Sequence, residues 1–425
     1  MSRMCVRPGP VGGRLLAPPS KSYTHRALAA AHLADRATTI RRPLVSDDTL
    51  RTARAVGVLG SRLRLRRGTW TITPAEERRP RRVRTVDCGE SGTTLRFASA
   101  LAALQSSPYR FVGSGRLPRR PMQPLLGALG ELGALVESPG GAASLPLRLR
   151  GPIHGGVARL DPSRSSQFTS ALLLALPVAS PSSRIALSGQ AVSEPYVEAT
   201  LAVLADRGVR VRRELRGFFL PGGQTYHGGV TTIPGDASSA AYLWAAAALA
   251  GGSVDVEGIP ARWPQADLAV LDLLESYGAS VRRTSHRVRV AAGLRRPFAF
   301  DLDDAPDLYP LAGVLAAAAA GRSVLTGAAH AAGKESDRRR ETARLVRAMG
   351  GRARLSERRL VIEGTALPRP LRRFVSHDHR LVMSAAVGAL ASDRPSEIGE
   401  AASVGKSFPG FFGALEALGG RIGPA

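Results

Sequence analysis

Six times along the chain an apolar residue is followed by a second position three residues on, usually apolar, and by a glycine four residues on. The pairs are Val56…Gly60, Leu129…Gly133, Leu204…Gly208, Leu274…Gly278, Val346…Gly350 and Leu415…Gly419. Residues of β type follow each glycine. A glycine closing an amphipathic helix supplies the left-handed cap from which the chain can turn into a strand. Val209-Arg210-Val211 and the stretch Val281 to Val288 read as such strands, alternating apolar and polar residues with period two. The glycines lie about 70 residues apart, too far for a solenoid unit. Each interval is long enough for a small α/β subdomain with two helices.

A second helix in each repeat opens on a polar cluster. Ser20-Lys21-Ser22 precedes Arg26–Ala34, Glu90-Ser91-Gly92-Thr93 precedes Leu95–Leu104, and Ser165-Ser166-Gln167 precedes Phe168–Leu176. Gly235 to Ser239 precedes Ala240–Ala250, Asp307 precedes Leu311–Ala320, and His377-Asp378-His379-Arg380 precedes Leu381–Ala391. Any one cluster reads as ordinary capping, for which Ser, Thr and Asp are the usual residues. Six of them with cations alongside point instead to helix N-termini converging on an anionic ligand.

Hydrophobic residues make up 44% of the 425-residue chain and aromatics 5%, so the cores must be built from Ala, Leu and Val. The longest apolar runs, Ser170–Ala179 and Ala240–Ala250, fall short of the ~20 residues that span a bilayer. Met1 to Gly13 contains no apolar leader region, and Cys5 and Cys88 cannot build a disulfide framework. A cytoplasmic protein is expected. The formal charge of +25 would suit a nucleic-acid binder. The arginines are scattered, however, as in Arg62–Arg67, Arg78–Arg84, Arg210–Arg216 and Arg338–Arg340, and read as a solvated surface.

Only Lys21, Lys334 and Lys406 are lysines among the 59 basic residues. Lysine offers a compact point charge and a movable proton, which arginine does not. All three sit in Ser- or Gly-bearing clusters, and each marks a place where arginine will not serve.

The clusters, taken in order, resemble the synthase family that joins phosphoenolpyruvate to shikimate 3-phosphate, within the enolpyruvyl transferases. The likeness runs through Pro19 to Arg26, Cys88 to Arg96, Arg116 to Met122, Ser165 to Phe168 and Ser193 to Tyr196. It continues through Pro306-Asp307, Lys334 to Arg338, Asp378 to Arg380, and Lys406 to Pro409. The resemblance implies a two-domain inside-out α/β barrel of six βαβαββ subdomains, three per domain. One domain would comprise residues 1–18 and 235–425, the other 19–234, with the active site in the cleft between them. It implies catalytic roles for Lys21, Asp307 and Glu335. Lys21, Gly92, Arg120, Gln167, Arg338, Arg380 and Lys406 would bind phosphoenolpyruvate. Ser22, Arg26, Ser165, Ser166, Gln167, Ser193, Tyr196, Asp307 and Lys334 would bind shikimate 3-phosphate. The chain departs from the family at Glu90 and His330, where Asn is common, and at Ala332, where an Arg is usual.

The implied partners are these two small molecules, with no nucleic acid and no membrane, and a monomer is expected. No cofactor is implied. His377-Asp378-His379 lacks a third ligand at metal spacing, so no metal is expected either. Two alternatives stand beside this reading. The UDP-N-acetylglucosamine enolpyruvyl transferases share fold and chemistry, but should show Lys-Asn where Lys21-Ser22 stands and a Cys in the loop Gly115–Met122. An RNA-binding or RNA-phosphate-modifying protein of related fold is the reading that the charge favours.

Overall fold

The computed structural model describes residues 2–74, 82–138 and 145–425, so residues 78–81 of the expected arginine run lie outside it. The chain forms six four-stranded sheets. In one, strand Arg84–Asp87 leads through helix Gly92–Ala102 to strand Pro108–Val112, which lies parallel to it. Helix Gln123–Glu131 follows, then the hairpin of Leu135–Glu137 and Leu147–Arg150, whose second strand pairs antiparallel with Pro108–Val112. Parallel neighbours need a crossover of a dozen residues or so, and the first helix supplies it. The same order of elements recurs from Val157 to Leu220 and from Ala299 to Gly364.

The other three sheets borrow a strand from elsewhere in the chain. Gly229–Thr232 lies parallel to Thr38–Arg41, and Gly13–Leu16 lies parallel to Ser253–Glu257. Arg3–Val6 is inserted between Ser396–Gly399 and Ile422–Pro424. The chain divides into two compact units, Met1–Pro18 with Pro234–Ala425, and Pro19–Ile233.

Within each unit three helices are buried on nearly every side. They are Lys21–His32, Gly92–Ala102 and Ser166–Ala175 in one, and Ala237–Ala250, Tyr309–Ala317 and His379–Ala389 in the other. A helix apolar all round has no solvent face to offer and belongs in a core. Alanine runs such as Ala245–Ala248, all at most 2% exposed, let these helices approach closely. The second helix of each subdomain is amphipathic and covers one side. No helix among the described residues is long and apolar enough to cross a membrane.

The interior helices begin two to five residues before the starts expected from the apolar runs. The polar clusters therefore form the first turns rather than leading into them. Ser20, Ser91, Ser165, Asp236 and Asp378 cap their helices through side-chain oxygens. Asp307 does not: it lies in the 3-10 turn Pro306–Leu308, and Tyr309–Ala317 has no side-chain cap.

All six repeat glycines have positive φ, from 78° at Gly208 to 122° at Gly60. Behind each, the next residue's N–H reaches back to the carbonyl of the first apolar residue of the pair. Examples are Ser61 to Val56 at 3.0 Å, Ala279 to Leu274 at 2.8 Å and Gly420 to Leu415 at 2.9 Å. This is the Schellman closure, and it satisfies carbonyls that a helix end leaves open. It also corrects one expected strand. Val209 donates to Leu204 in this closure and Arg210 donates to the Gln224 side chain, so the strand begins at Arg212.

Two of these glycines separate backbone strain from collision. A Cβ at Gly278 would run into the Leu294 carbonyl oxygen, whereas one at Gly419 meets nothing within 4 Å. Gly419→Ala should cost about 1 kcal/mol, from φ alone. Gly278→Ala should cost about 3 kcal/mol or more, read as the shift in urea midpoint. Equal shifts would remove the collision from the account.

Candidate functional site

In the Pro19–Ile233 unit the cap at Ser20 places Lys21 in the first turn of its helix, with Nζ 3.2 Å from the Asp48 carboxylate. Both side chains are largely buried. Asp48 had no signal beyond an acidic helix start and was not among the expected site residues. Helix Gly92–Ala102 begins nearby in the chain's hydrogen-bond network, because the Thr94 hydroxyl donates to the Asp48 carbonyl at 3.3 Å. A Cβ built on Gly92 would lie 2.9 Å from the Arg120 guanidinium carbon, so glycine leaves room there for the guanidinium.

Arg96, also absent from the expected set, is 3% exposed and stacks over the Phe168 ring at 5.0 Å. It donates to the Gln167 carbonyl oxygen at 2.6 Å, while the Gln167 amide donates to Thr93 at 3.0 Å. Gln167 is thereby aimed from both ends. Lys21, Gly92, Arg120 and Gln167 are thus tied into one set, with Asp48, Thr93, Thr94 and Arg96 as supports. Ser166 begins its helix under the Ser165 cap. Ser193 holds φ at 54°, a strained value for a residue with a side chain, and its carbonyl receives the Tyr196 N–H at 3.1 Å.

Arg26 is 2% exposed, and its donors reach Thr200, Ser170 and the carbonyls of Ser22 and Tyr196. Burial lowers its pKa to about 10. The structure therefore shows Arg26 joining its own helix to Ser166–Ala175 and Pro195–Asp206, beside Ser22 and Tyr196.

In the other unit the centre is a knot of charges. Arg338, 1% exposed, donates through Nε to Asp378 at 3.0 Å, through Nη1 to Asp307, and through Nη2 to Glu335 at 2.8 Å. Burial alone would lower its pKa, but Asp378, Asp307 and Glu335 outweigh that and hold it well above the ordinary value. Arg380 donates to the second Asp307 oxygen at 3.0 Å and to the Ser238 carbonyl at 3.3 Å. Burial again opposes its charge, while Asp307 leads the groups that raise its pKa. Lys334 Nζ lies 3.6 Å from Asp307. One carboxylate thus receives three expected binding cations.

Asp378 caps its helix by accepting from the Arg380 N–H at 3.0 Å, and it also accepts from Ser336 at 2.8 Å. Asp267 and Ser238 add a second buried acid and its hydroxyl donor; burial, and then Asp307, push Asp267 up to about 6. Neither Asp267 nor Asp378 was an expected site residue. His330 lies with its side chain 4% exposed, and burial followed by the Lys334 charge lowers its pKa to about 4. Lys406 ends the 3-10 turn Ala401–Lys406, half-buried, just beyond Glu400 at φ 55°.

Removing one member of a buried charge set leaves the others uncompensated. Asp378→Ala should destabilise this unit by about 3–5 kcal/mol, as a fall in its thermal midpoint. Arg340 and Asp337 pair at 3.3 Å with Arg340 79% exposed. Arg340→Ala should accordingly change stability by less than about 1 kcal/mol.

Residues 6–415 match the sequence model of EPSP synthase (3-phosphoshikimate 1-carboxyvinyltransferase). A 3-phosphoshikimate 1-carboxyvinyltransferase of Thermococcus kodakarensis is 41% identical over 419 residues, covering 98% of this chain and 100% of the relative. The one from Methanocorpusculum labreanum is 37% identical over 418 residues, covering 98% of each. The EPSP synthase structure from Acinetobacter baumannii superposes with a TM-score of 0.83 at 25% identity, over 100% of both chains. An enolpyruvyl transferase from Streptomyces tendae shares the fold, with a TM-score of 0.81 at 16% identity over 100% of this chain and 99% of the other. With the two-domain inside-out α/β fold and a match that spans nearly its whole length, the chain belongs to the EPSP synthase family.

Proposed function

We infer that this protein transfers the enolpyruvyl group of phosphoenolpyruvate to the 5-hydroxyl of shikimate 3-phosphate, releasing phosphate. The observation that carries the reading is the grip of Lys334, Arg338 and Arg380 on one carboxylate, Asp307, in a chain of this family. The two substrates bring about six negative charges together. Preorganised cations offset that repulsion without reorganising during the reaction.

In the proposed chemistry the hydroxyl adds to C2 of phosphoenolpyruvate while C3 takes up a proton, giving a tetrahedral ketal. Phosphate then leaves as a C3 proton is lost. Asp307 holds the hydroxyl and accepts its proton, and the cations around it orient the carboxylate. Glu335 and Lys21 serve proton transfer at C3 and at the departing phosphate. Arg120 beside Gly92, Gln167, Arg338, Arg380 and Lys406 bind phosphoenolpyruvate. Ser22, Arg26, Ser165, Ser166, Gln167, Ser193, Tyr196, Asp307 and Lys334 take shikimate 3-phosphate. His330, neutral where it lies, stands in for an uncharged partner on that side.

A monomer fits the sheet edges. The edge strand Arg62–Arg66 places arginines at alternate positions, and such like charges oppose edge-to-edge pairing. The UDP-N-acetylglucosamine reading is disfavoured by Ser22 after Lys21 and by the lack of Cys from 115 to 122.

Phosphate release from phosphoenolpyruvate should require shikimate 3-phosphate, and UDP-N-acetylglucosamine should not replace it. Lys21→Arg and Lys406→Arg should each lower kcat/KM by about a hundredfold with the thermal midpoint unchanged. Wild-type turnover in either variant would refute the special need for lysine there. Glyphosate should inhibit in competition with phosphoenolpyruvate. In Gly92→Ala the added Cβ displaces Arg120, and the inhibition constant should rise well beyond the rise in KM. A parallel rise in both would show that the methyl does not discriminate between the two anions.

A further inference from the structure

Behind Lys21 and Gly92 runs a chain of buried polar side chains that the proposed chemistry does not use. His25 Nδ1 lies 2.6 Å from the Thr52 hydroxyl, which lies 2.7 Å from the Thr94 hydroxyl, which lies 2.8 Å from the Ser91 hydroxyl. All four residues are at most 2% exposed. Ser91 caps the helix that begins at Gly92, and His25 stands one turn beyond Lys21 on its own helix. Thr52 belongs to Asp47–Val58, the helix that carries Asp48. Three helices are therefore joined by one row of hydrogen bonds.

The protons in this row can be placed. Thr94 has a single proton and two outlets for it, the Ser91 hydroxyl and the Asp48 carbonyl. If Thr94 serves either, it must accept from Thr52, and Thr52 must accept from His25. That order puts the histidine proton on Nδ1. The reverse order would put a proton on Nε2, which is buried and meets no hydrogen-bond partner among the described residues. A buried N–H without an acceptor is rarer than an idle acceptor lone pair. A second proton on the ring would face the same vacancy, and burial, Lys21 and Arg26 all oppose the charge.

We propose that His25, as the neutral Nδ1–H imidazole, is a positioning residue whose hydrogen-bonded row through Thr52, Thr94 and Ser91 sets Lys21 and its Asp48 partner against the loop carrying Gly92. The consequence for function rests on the reading of Lys21 and Gly92 as phosphoenolpyruvate-binding residues. The row itself does not.

The test therefore has two independent readouts. Nitrogen-15 NMR of the histidine-labelled full chain, with His25 assigned by its loss in His25→Gln, should show a neutral Nδ1–H ring from pH 8 down to pH 5. An Nε2–H or charged ring would overturn the proposal whatever the enzyme does. Kinetically, Thr52→Val keeps the shape and breaks the row. It should raise KM for phosphoenolpyruvate about tenfold with kcat within about threefold, and Thr52→Ser should restore it. Wild-type KM in Thr52→Val, or no restoration by Thr52→Ser, would overturn the positioning role. If Thr52→Val does not fold, the wild-type NMR decides alone. Absence of turnover in the wild-type enzyme would instead strike the assigned reaction and leave the tautomer result standing.

Discussion

Arg338 is a cation with almost no access to water, and three carboxylates converge on it from Asp307, Glu335 and Asp378. Desolvating such a group is costly unless each donor finds an acceptor, and a partial set would be worse than none. The surrounding elements are arranged to complete that set. The 3-10 turn at Pro306–Leu308 brings Asp307, the first turn of Arg338–Ala348 brings Arg338 itself, and the start of His379–Ala389 brings Asp378. Arg380 and Lys334 then close around Asp307 from its other sides. The cations proposed to bind anions and the charges that hold these helix starts in place are largely the same groups.

The remainder of the architecture makes such a knot tolerable. Interior helices rich in Ala and Leu bury nearly every side and leave their first turns as the place where polar side chains can meet. Serine and aspartate caps satisfy the free N–H groups there, and cations take their positions from the same turns. Positive φ at Ser193, Ala328 and Glu400, non-glycine residues in the loops that lead to candidate residues, adds local strain that the packed helices sustain.

The two units solve the same problem with different chemistry. In Pro19–Ile233 the supports are mostly neutral: hydroxyls of Thr52, Thr94 and Ser91 and the Gln167 amide, with Arg96 and the Lys21–Asp48 pair as the charged members. In the other unit they are ionic. A neutral lattice positions groups without adding charge, whereas an ionic one concentrates field around the carboxylate at its centre.

Much of this was legible along the chain. The six glycine closures, the helices behind the polar clusters and the three isolated lysines follow from local rules, since a left-handed cap, a cap residue and a choice of cation each depend on a few neighbouring residues. The expected helix starts were late because apolar periodicity begins only after the capped first turn. The strand expected at Val209 failed because that residue completes a helix closure. Asp48 and Asp267 were not legible as members of these networks, and Asp378 and Arg96 stood in the expected clusters without a role, because a buried acid or cation is recognised by its partners, and those lie far away in the sequence. Asp378 meets Arg338 across 40 positions and Arg96 meets Gln167 across 71. Composition and periodicity determine which helices must be interior and where each ends. Only tertiary packing decides which helix starts face one another, because that depends on strand pairings such as Arg3–Val6 with Ser396–Gly399, made between opposite ends of the chain.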